Sequence, residues 1–326
     1  MTLEELVYSE DYADLIVRSF YLDAFQNSGS SVSQNSFELN AQFSSFFYER
    51  RLLPANQFGD IPYNSVPKLF TPLSTVSLES AGILQVQTQP VLSLTGTGVI
   101  IGFVDTGIDY THPAFRKTDG TTRLLAIWDQ TDRAGAPPAM FPYGSEYTKE
   151  QIDEALRSEN PLAVVPAADP DGHGTYLAGV AAGTSDEEQG FIGAAPDADL
   201  IVVRLKPAKQ YLRDFFFLSP GATAFQENDI MAGIRFLTQK ALQYQKPLVI
   251  CLGLGSNQGS RSASLPLSFS LRRLGQIQGV TPVVAAGNEA GRAHHYRGSV
   301  SSSDGPVNVE ILVPEGSVGF TMELWG

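Results

Sequence analysis

Residues 99–109 read Val-Ile-Ile-Gly-Phe-Val-Asp-Thr-Gly-Ile-Asp, a short apolar run that ends in an aspartate. The run is rich in β-branched residues and shows no polar alternation, which is typical of a strand buried on both faces of a parallel sheet. Asp105 follows at the carboxyl end of this strand, and Gly107 allows a tight turn there. Because open α/β sheets bind ligands at the carboxyl ends of their strands, Asp105 is a candidate functional residue. The alternative is a strand-ending aspartate that only caps the next element.

Three further apolar runs follow, and helical segments lie between them. The runs cover residues 200–205, 247–252 and 281–286. The spacing also predicts helices over residues 173–182 and 226–243. The second of these helices has one apolar face, formed by Ile230, Ile234, Leu237 and Ala241. Strands that alternate with helices predict a three-layer α/β domain with a mostly parallel sheet.

Two more motifs carry polar residues at the ends of such elements. Residues 171–175, Asp-Gly-His-Gly-Thr, place His173 at the start of a helix rich in small residues. Residues 283–288, Val-Val-Ala-Ala-Gly-Asn, predict a buried strand that ends in a turn presenting the amide of Asn288. Taken alone, the first motif can be a histidine that only begins a helix, and the second can be a simple Asn turn. An amide aimed at a developing oxyanion would stabilise a transition state by about 2.7–4 kcal/mol.

Together, the motifs Asp, Gly-His-Gly-Thr and Ala-Gly-Asn resemble those of the subtilisin-like serine proteases over roughly residues 90–298. In that family the triad residues occur in the chain order Asp, His, Ser. The resemblance implies that Asp105 orients His173 and that His173 acts first as general base and then as general acid. It also implies that Asn288 donates a hydrogen bond into an oxyanion hole.

The stretch Val249–Gly255 resembles the subtilase strand that pairs with the substrate backbone. By this resemblance Gly253, Leu254 and Gly255 face the substrate. The family usually has serine where this chain has Gly253, which changes the expected detail of the specificity pocket. Cys251, inside the same strand, is interpreted as a small buried residue and not as a nucleophile.

Longer stretches, such as residues 61–74 and 94–116, resemble the subtilases of spore-forming clostridia. That group has an N-terminal prodomain and a β jelly roll inserted between the oxyanion Asn and the nucleophilic Ser. The resemblance implies three regions: a prodomain-like segment at 1–88, an incomplete subtilisin-like core at 89–298 and the beginning of an inserted β domain at 299–326.

Patterns within the two outer regions predict local structure. The apolar spacing over residues 9–24 predicts a helix, and residues 26–37 form a polar loop. Four prolines within residues 53–73 indicate an extended connector. Alternating apolar residues between 307 and 324, around a turn at 314–317, predict a hairpin.

A catalytic triad requires a serine within hydrogen-bond reach of His173. After Asn288, no serine stands in the Gly-Thr-Ser context of the family. The sequence Gly183-Thr184-Ser185 has these letters, but a helix about 15 Å long separates Ser185 from His173. We therefore expect the N-terminal portion of a serine endopeptidase, without its nucleophile and inactive alone. The alternative is a pseudoprotease that acts as a binding or regulatory protein.

Composition excludes several other classes of function. Lys plus Arg number 22 and Asp plus Glu number 35, so the net charge is −13. Such a chain lacks the electrostatic footprint of a nucleic-acid-binding protein and is repelled by anionic membranes. The single cysteine excludes an intrachain disulfide. The resemblance to the subtilases implies two partners, a protein or peptide substrate and the chain's own N-terminal segment as an intramolecular inhibitor or chaperone.

Other polar residues are interpreted as structural. The pair His294-His295 and the cluster Asp169-Pro170-Asp171 are predicted to be solvated loops, and His112 a structural residue. We therefore expect neither a metal nor a cofactor. The N-terminus lacks a basic region followed by an apolar core, and no apolar run approaches the roughly 18 residues of a membrane span. These observations predict a cytoplasmic protein, and the clostridial resemblance implies an association with spores.

Overall fold

The structure is a computed structural model. It describes residues 2–21, 35–53, 61–72, 94–185, 191–260, 262–288, 294–301, 305–313, 315–317 and 319–325. None of the helices in these ranges is long and apolar enough to cross a membrane. The predicted boundary at residue 88 and most of the predicted loop at 26–37 lie outside the described residues.

The described chain alternates between helices and strands over most of its length. The helices are α1 (Leu3–Tyr8), α2 (Lys149–Arg157), α3 (Pro161–Val164), α4 (His173–Ala182), α5 (Gln210–Phe215), α6 (Glu227–Tyr244) and α7 (Pro266–Leu274). The strands are β1 (Tyr12–Arg18), β2 (Ser36–Glu38), β3 (Phe43–Glu49), β4 (Leu69–Pro72), β5 (Ile100–Asp105), β6 (Leu124–Asp129), β7 (Ser145–Thr148), β8 (Asp199–Arg204), β9 (Phe225–Gln226), β10 (Leu248–Leu252), β11 (Leu254–Gly255) and β12 (Val280–Val284).

A six-stranded sheet in the order β12-β10-β5-β8-β6-β7 forms the centre of the molecule. Its strands pair in parallel, except that β7 runs antiparallel to β6. All six residues of β5 are buried, as the apolar run at 99–104 predicts. The mostly parallel sheet with helices between its strands confirms the predicted α/β fold class.

Alternate residues of β5 belong to two separate hydrophobic cores. Ile100 and Val104 lie in a core shared with α6, whereas Ile101 and Phe103 lie in a core shared with α2 and α4. Because successive side chains of a strand point to opposite faces, these cores lie on the two sides of the sheet. The molecule therefore has the predicted three layers of helix, sheet and helix.

Helix α6 confirms the prediction made from its apolar spacing. It covers Glu227–Tyr244, one residue further along the chain than the predicted range. The four residues of the predicted apolar face are all buried: Ile230, Ile234, Leu237 and Ala241.

The N-terminal region forms a second, three-stranded sheet in the order β1-β3-β2. The helix predicted over residues 9–24 is wrong, because residues 12–18 form β1, which pairs antiparallel with β3. Ala13, Leu15 and Val17 pack in a core with α5, and Ile16 points to the opposite side into the core of α6. Because both faces of β1 are covered by protein, apolar residues occur on both sides of the strand. Their spacing in the sequence therefore fits a helix as well as a strand.

Two expectations about the C-terminal third are also wrong. Strand β12 lies at the sheet edge, and the side chains of Val283 and Val284 are 47% and 58% exposed instead of buried. Residues 315–316 form a turn as predicted, but the described parts of 305–325 contain no strand. Apolar alternation makes a strand only where a partner completes the backbone hydrogen bonds and covers the apolar face. Here the alternating side chains, such as Ile311 and Leu324, are exposed.

A buried polar cluster connects the N-terminal sheet to the rest of the molecule. Lys209 Nζ contacts Asp14 Oδ1 at 2.5 Å, and the two side chains are 3% and 0% exposed. The amides of Gln226 and Asn228 donate to Asp14 Oδ2 at 2.8 and 3.3 Å. Every hydrogen-bond partner of the Asp14 carboxylate is a donor. Only an ionised carboxylate can accept all of these hydrogen bonds, because an amide in its place would present a donor of its own.

We expect Asp14→Asn to lower the free energy of unfolding by about 3–5 kcal/mol, because it leaves the Lys209 ammonium buried without its counter-charge. Urea denaturation followed by circular dichroism measures this change. The control is Glu49→Gln, which breaks the ion pair with Arg51, a side chain that is 80% exposed. That variant should leave the midpoint unchanged. Equal effects of the two variants would contradict the expectation.

Candidate active site

Asp105 and His173 come together although 68 residues separate them in the sequence. Asp105 is the last residue of β5, and His173 is the first residue of α4. His173 Nδ1 lies 2.6 Å from Asp105 Oδ1, and the same oxygen accepts the Thr106 N–H at 2.7 Å. The Asp105 side chain is fully buried and that of His173 is 14% exposed. The pair is therefore buried at Asp105 and partly exposed at His173.

Two glycines make this approach possible. Gly107 has a φ of +136°, and a Cβ there would lie 2.4 Å from the Ala168 carbonyl oxygen. A Cβ at Gly174 would lie 2.2 Å from the Gly107 carbonyl oxygen. A side chain at Gly107 would push the loop after β5 away from residues 168–169, and one at Gly174 would push that loop away from α4 and separate Asp105 from His173.

Asp169 joins the two motifs through four hydrogen bonds. Its Oδ1 accepts the Thr106 hydroxyl at 2.8 Å and the Gly172 N–H at 3.0 Å. Its Oδ2 accepts the N–H and the hydroxyl of Thr175 at 2.8 and 2.7 Å. Thr106 Oγ1 in turn accepts the Gly174 N–H at 2.8 Å. The prediction of a solvated loop is therefore wrong for Asp169. The sequence does contain a signal of this role: an aspartate stands four residues before His173, and each of the two motifs contains a threonine.

The second oxygen of the Asp105 carboxylate faces Gly253. Within the described residues, Asp105 Oδ2 is buried and has no hydrogen-bond partner. A Cβ at Gly253 would lie 3.3 Å from this oxygen and 3.0 Å from His173 Cε1. Gly253 therefore lies directly against the Asp105–His173 pair, as expected for a residue at the site.

The pair has the geometry of a general base. A carboxylate that accepts from the imidazole Nδ1–H fixes the tautomer in which Nε2 is the nitrogen that can accept a proton. The negative charge of Asp105 also stabilises the imidazolium that such a transfer would create. The arrangement can therefore activate a hydroxyl nucleophile placed at Nε2.

A strand from the N-terminal region lies between β11 and β9, close to this pair. Strand β4 runs antiparallel to β11, with Thr71 opposite Gly255 and Pro72 opposite Leu254. On its other side β4 pairs with β9, with Phe70 opposite Phe225. Because Leu254 follows Gly253, β4 runs toward His173. No pattern in residues 69–72 predicts this contact.

A sequence model described as the subtilase family matches residues 96–314, which is more than half of the chain. The chain belongs to the subtilase family. This finding confirms the resemblance to subtilisin-like serine proteases.

Several relatives of known sequence or structure are similar to this subtilase. The CspB protease of Clostridium perfringens is 35% identical, with a TM-score of 0.55 over 65% of this chain and 40% of that one. A subtilisin of Bacillus sp. strain TA39 is 25% identical over 65% of this chain and 38% of its own length. Thermitase of Thermoactinomyces vulgaris is 23% identical over 68% of this chain and 61% of its own. This subtilase therefore spans less than two thirds of the length of each of these relatives.

Asn288, the candidate oxyanion donor of the subtilase, follows β12 at the carboxyl edge of the sheet. This is the edge at which β5 delivers Asp105. The Asn288 side chain is exposed. The structure thus places Asn288 on the correct side of the sheet, and its role in the subtilase stays a prediction.

The remaining candidates of this subtilase lie apart from the pair or have other roles. Ser185 is exposed and follows the end of α4 opposite to His173. His112 Nδ1 accepts the Ala114 N–H and caps a short turn of helix, which confirms a structural role. His294 and His295 are exposed. In the described part of the subtilase, no group of three His, Cys, Asp or Glu side chains is arranged to hold a metal ion.

Cys251 of the subtilase lies in β10 and is partly buried. Burial, together with the negative charge of Asp105, raises the pKa of its thiol to about 12. The thiol is therefore protonated at neutral pH, which makes it a poor nucleophile. This agrees with its interpretation as a strand residue.

We expect Asp169→Asn to lower the stability of this subtilase at neutral pH by about 1–3 kcal/mol, because an amide nitrogen would face N–H and O–H donors. Burial raises the pKa of Asp169, but the hydrogen bonds from Thr175, Thr106 and Gly172 outweigh it and hold the pKa below the ordinary 3.8. A carboxyl whose pKa is lower in the folded state contributes stability above its unfolded pKa and loses it in more acidic solution. The difference from the parent chain should therefore shrink as the pH falls below 3.8.

Urea titrations across this pH range measure the difference. The matched control is Asp171→Asn, in the same loop, whose side chain is exposed. A loss of similar size in the Asp171 variant, or a loss for Asp169→Asn that does not depend on pH, would contradict the expectation.

Proposed function

We propose that this chain is part of a serine endopeptidase in which Asp105 and His173 activate a serine nucleophile. The 2.6 Å contact between His173 Nδ1 and Asp105 Oδ1, in a member of the subtilase family, carries the proposal. His173 Nε2 takes the proton of the serine hydroxyl as it attacks the peptide carbonyl, and then returns it to the leaving amine. Asp105 holds the ring in place and stabilises its charged form. Asn288 donates to the oxyanion of the tetrahedral intermediate.

The nucleophilic serine of this proposal lies outside residues 1–326. The serines after Asn288 are at positions 299, 301, 302, 303 and 317, and none has the Gly-Thr-Ser context. The chain matches only 38% and 61% of the length of two relatives, which supports a serine elsewhere in the protein. On this proposal the 326 residues bind peptide but do not cleave it.

The N-terminal region is proposed to act as an intramolecular inhibitor. Strand β4 occupies the groove between β9 and β11, where an extended substrate would add a strand of its own. It pairs with Leu254 and Gly255, two of the residues proposed to bind substrate. The buried contact of Asp14 with Lys209 attaches the rest of the N-terminal region to the core. A peptide substrate must therefore displace β4 before it can bind.

A pseudoprotease is the second candidate function, and the absence of a serine in the family context favours it. Such a protein would use the groove for binding alone. The intact hydrogen bonds around Asp105, His173 and Asp169 favour the protease, because a protein that only binds peptide has no need of an oriented imidazole.

A serine-directed fluorophosphonate tests the proposal. It should leave the 326-residue chain unlabelled, because the reactive serine is elsewhere. A longer product of the same gene, with a Gly-Thr-Ser segment downstream, should be labelled. Its peptidase activity should fall by about 10⁴-fold or more in His173→Ala, since the members of a triad act as a unit.

The control is Ser185→Ala, which should leave labelling of the longer product unchanged because Ser185 lies at the far end of α4. Labelling of any serine within residues 1–326 would contradict the proposal. A reading frame that closes without a Gly-Thr-Ser segment would support the pseudoprotease.

A further inference from the structure

The two oxygens of the Asp105 carboxylate have very different surroundings. Asp105 is 0% exposed, and its Oδ1 contacts both the Thr106 N–H at 2.7 Å and His173 Nδ1 at 2.6 Å. Its Oδ2 is buried as well, but no residue that the structure describes donates to it. The other buried carboxylate oxygen in this condition, Asp229 Oδ2, lies 2.7 Å from the Lys206 ammonium. A buried acceptor with neither a donor nor a cation is rare, so Asp105 Oδ2 requires an explanation.

Gly253 is the residue that leaves this oxygen without a side-chain donor. A Cβ at Gly253 would lie 3.3 Å from Asp105 Oδ2 and 3.0 Å from His173 Cε1. A hydroxyl attached to that Cβ can come within hydrogen-bond reach of the oxygen. The residue type at position 253 therefore decides whether Oδ2 receives a hydrogen bond from β10 and the residue that follows it.

The charge of Asp105 also acts on the residues around it. Burial raises the pKa of the Cys251 thiol to about 12, and the negative charge of Asp105 adds to this shift. Electrostatic interactions are weakly screened in such a buried place. A buried carboxylate with few donors is stabilised mainly by a neighbouring cation, so a positive charge on His173 offsets part of the cost of burying Asp105.

The other ionisable groups around the imidazole come from three segments. They are Cys251 on β10, Asp109 in the loop after β5, and Asp169 and Asp171 before α4. The thiol is neutral at pH 7, the Asp169 carboxylate is held by four hydrogen bonds, and the other two carboxylates are exposed. All four groups stay in place when only position 253 is substituted, so variants at that position isolate the effect of Oδ2.

We infer that Gly253 is a positioning residue of the catalytic pair, which makes His173 a stronger base by leaving Asp105 Oδ2 without a hydrogen-bond donor. A hydroxyl that donates to Oδ2 would bring the positive end of its dipole next to the carboxylate and oppose the charge of the imidazolium. Gly253 contributes no reacting atom and acts through Asp105. This inference rests on the proposed function for its purpose, because a stronger base takes the proton of a serine hydroxyl more readily.

Gly253→Ser and Gly253→Ala in the full 326-residue chain separate the effect of a hydroxyl from that of added volume. Both variants add the same Cβ, and only serine brings a donor. Proton–nitrogen NMR of the imidazole rings follows the titration of the four histidines, and His173→Gln identifies the signal of His173 by its loss. Gly253→Ser should lower the titration midpoint of His173 by about 0.5–1 pH unit, whereas Gly253→Ala should move it by roughly 0.2 or less.

A merely steric role of Gly253 makes the opposite prediction, because the two variants would then shift the midpoint equally. Equal shifts, or a midpoint in Gly253→Ser that is unchanged or higher than that of the parent chain, would overturn the inference. The histidines at 112, 294 and 295 are internal controls, and their midpoints should not move.

Leu177 provides a second pair of variants if the added Cβ prevents folding. The Cβ would lie 2.8 Å from Leu177 Cδ2, which is the far end of a flexible side chain on α4. Leu177→Val removes this methyl group, and the serine, alanine and glycine chains are then compared in that background. The same difference between serine and alanine is expected, and its absence there would equally overturn the inference.

The titration requires no hydrolysis, so it fails or succeeds independently of the proposed function. An unlabelled longer product would contradict the protease and leave the midpoints of His173 as they are. In an active longer product, the acid limb of the pH profile of kcat/KM should move to lower pH in Gly253→Ser by the amount that the NMR titration shows. An acid limb that stays in place while the protease remains active would count against the inference alone.

Discussion

The close contact between the Gly107 carbonyl and the Cα of Gly174 is the constraint on which the site depends. It allows the loop after β5 to lie directly on the first turn of α4, and only a residue without a side chain fits at Gly174. Asp169 then fixes the two segments to each other through Thr106 and Thr175. The distance between Asp105 and His173 is a consequence of this backbone contact, because both side chains project from segments that can hardly move apart.

The sequence predicted those parts of the fold whose signal is local. Strand β5 and helix α6 follow from single apolar runs, and Asp105 and His173 from short motifs. Strand β1 could not be distinguished from a helix, because apolar residues at 13 and 15–17 fit either period until both faces of the segment are known to be covered. The place of β4 depends on pairing with residues 225–226 and 254–255, far away in the sequence, and no pattern within residues 69–72 encodes it.

Buried charges occur at two places where the N-terminal region meets the core. Asp14 pairs with Lys209 under the N-terminal sheet, and the buried Lys68 donates its backbone N–H to Glu227. Buried ion pairs add little net stability compared with apolar contacts, but a mispaired one is strongly unfavourable. The Asp14–Lys209 contact therefore acts as a register, since a shift of the N-terminal region by one residue would leave two buried charges unmatched. Apolar contacts alone would tolerate such a shift more easily.

The exposed valines of β12 affect how the chain behaves in solution. Val283 and Val284 lie on the last strand of the central sheet, and within the described residues no strand pairs with its outer edge. Such an edge is a template on which a second molecule can add a strand. The net charge of −13 opposes this association by mutual repulsion, which added salt screens. Colloidal stability of the 326-residue chain is therefore governed by ionic strength, and dilute buffers of low salt favour the monomer.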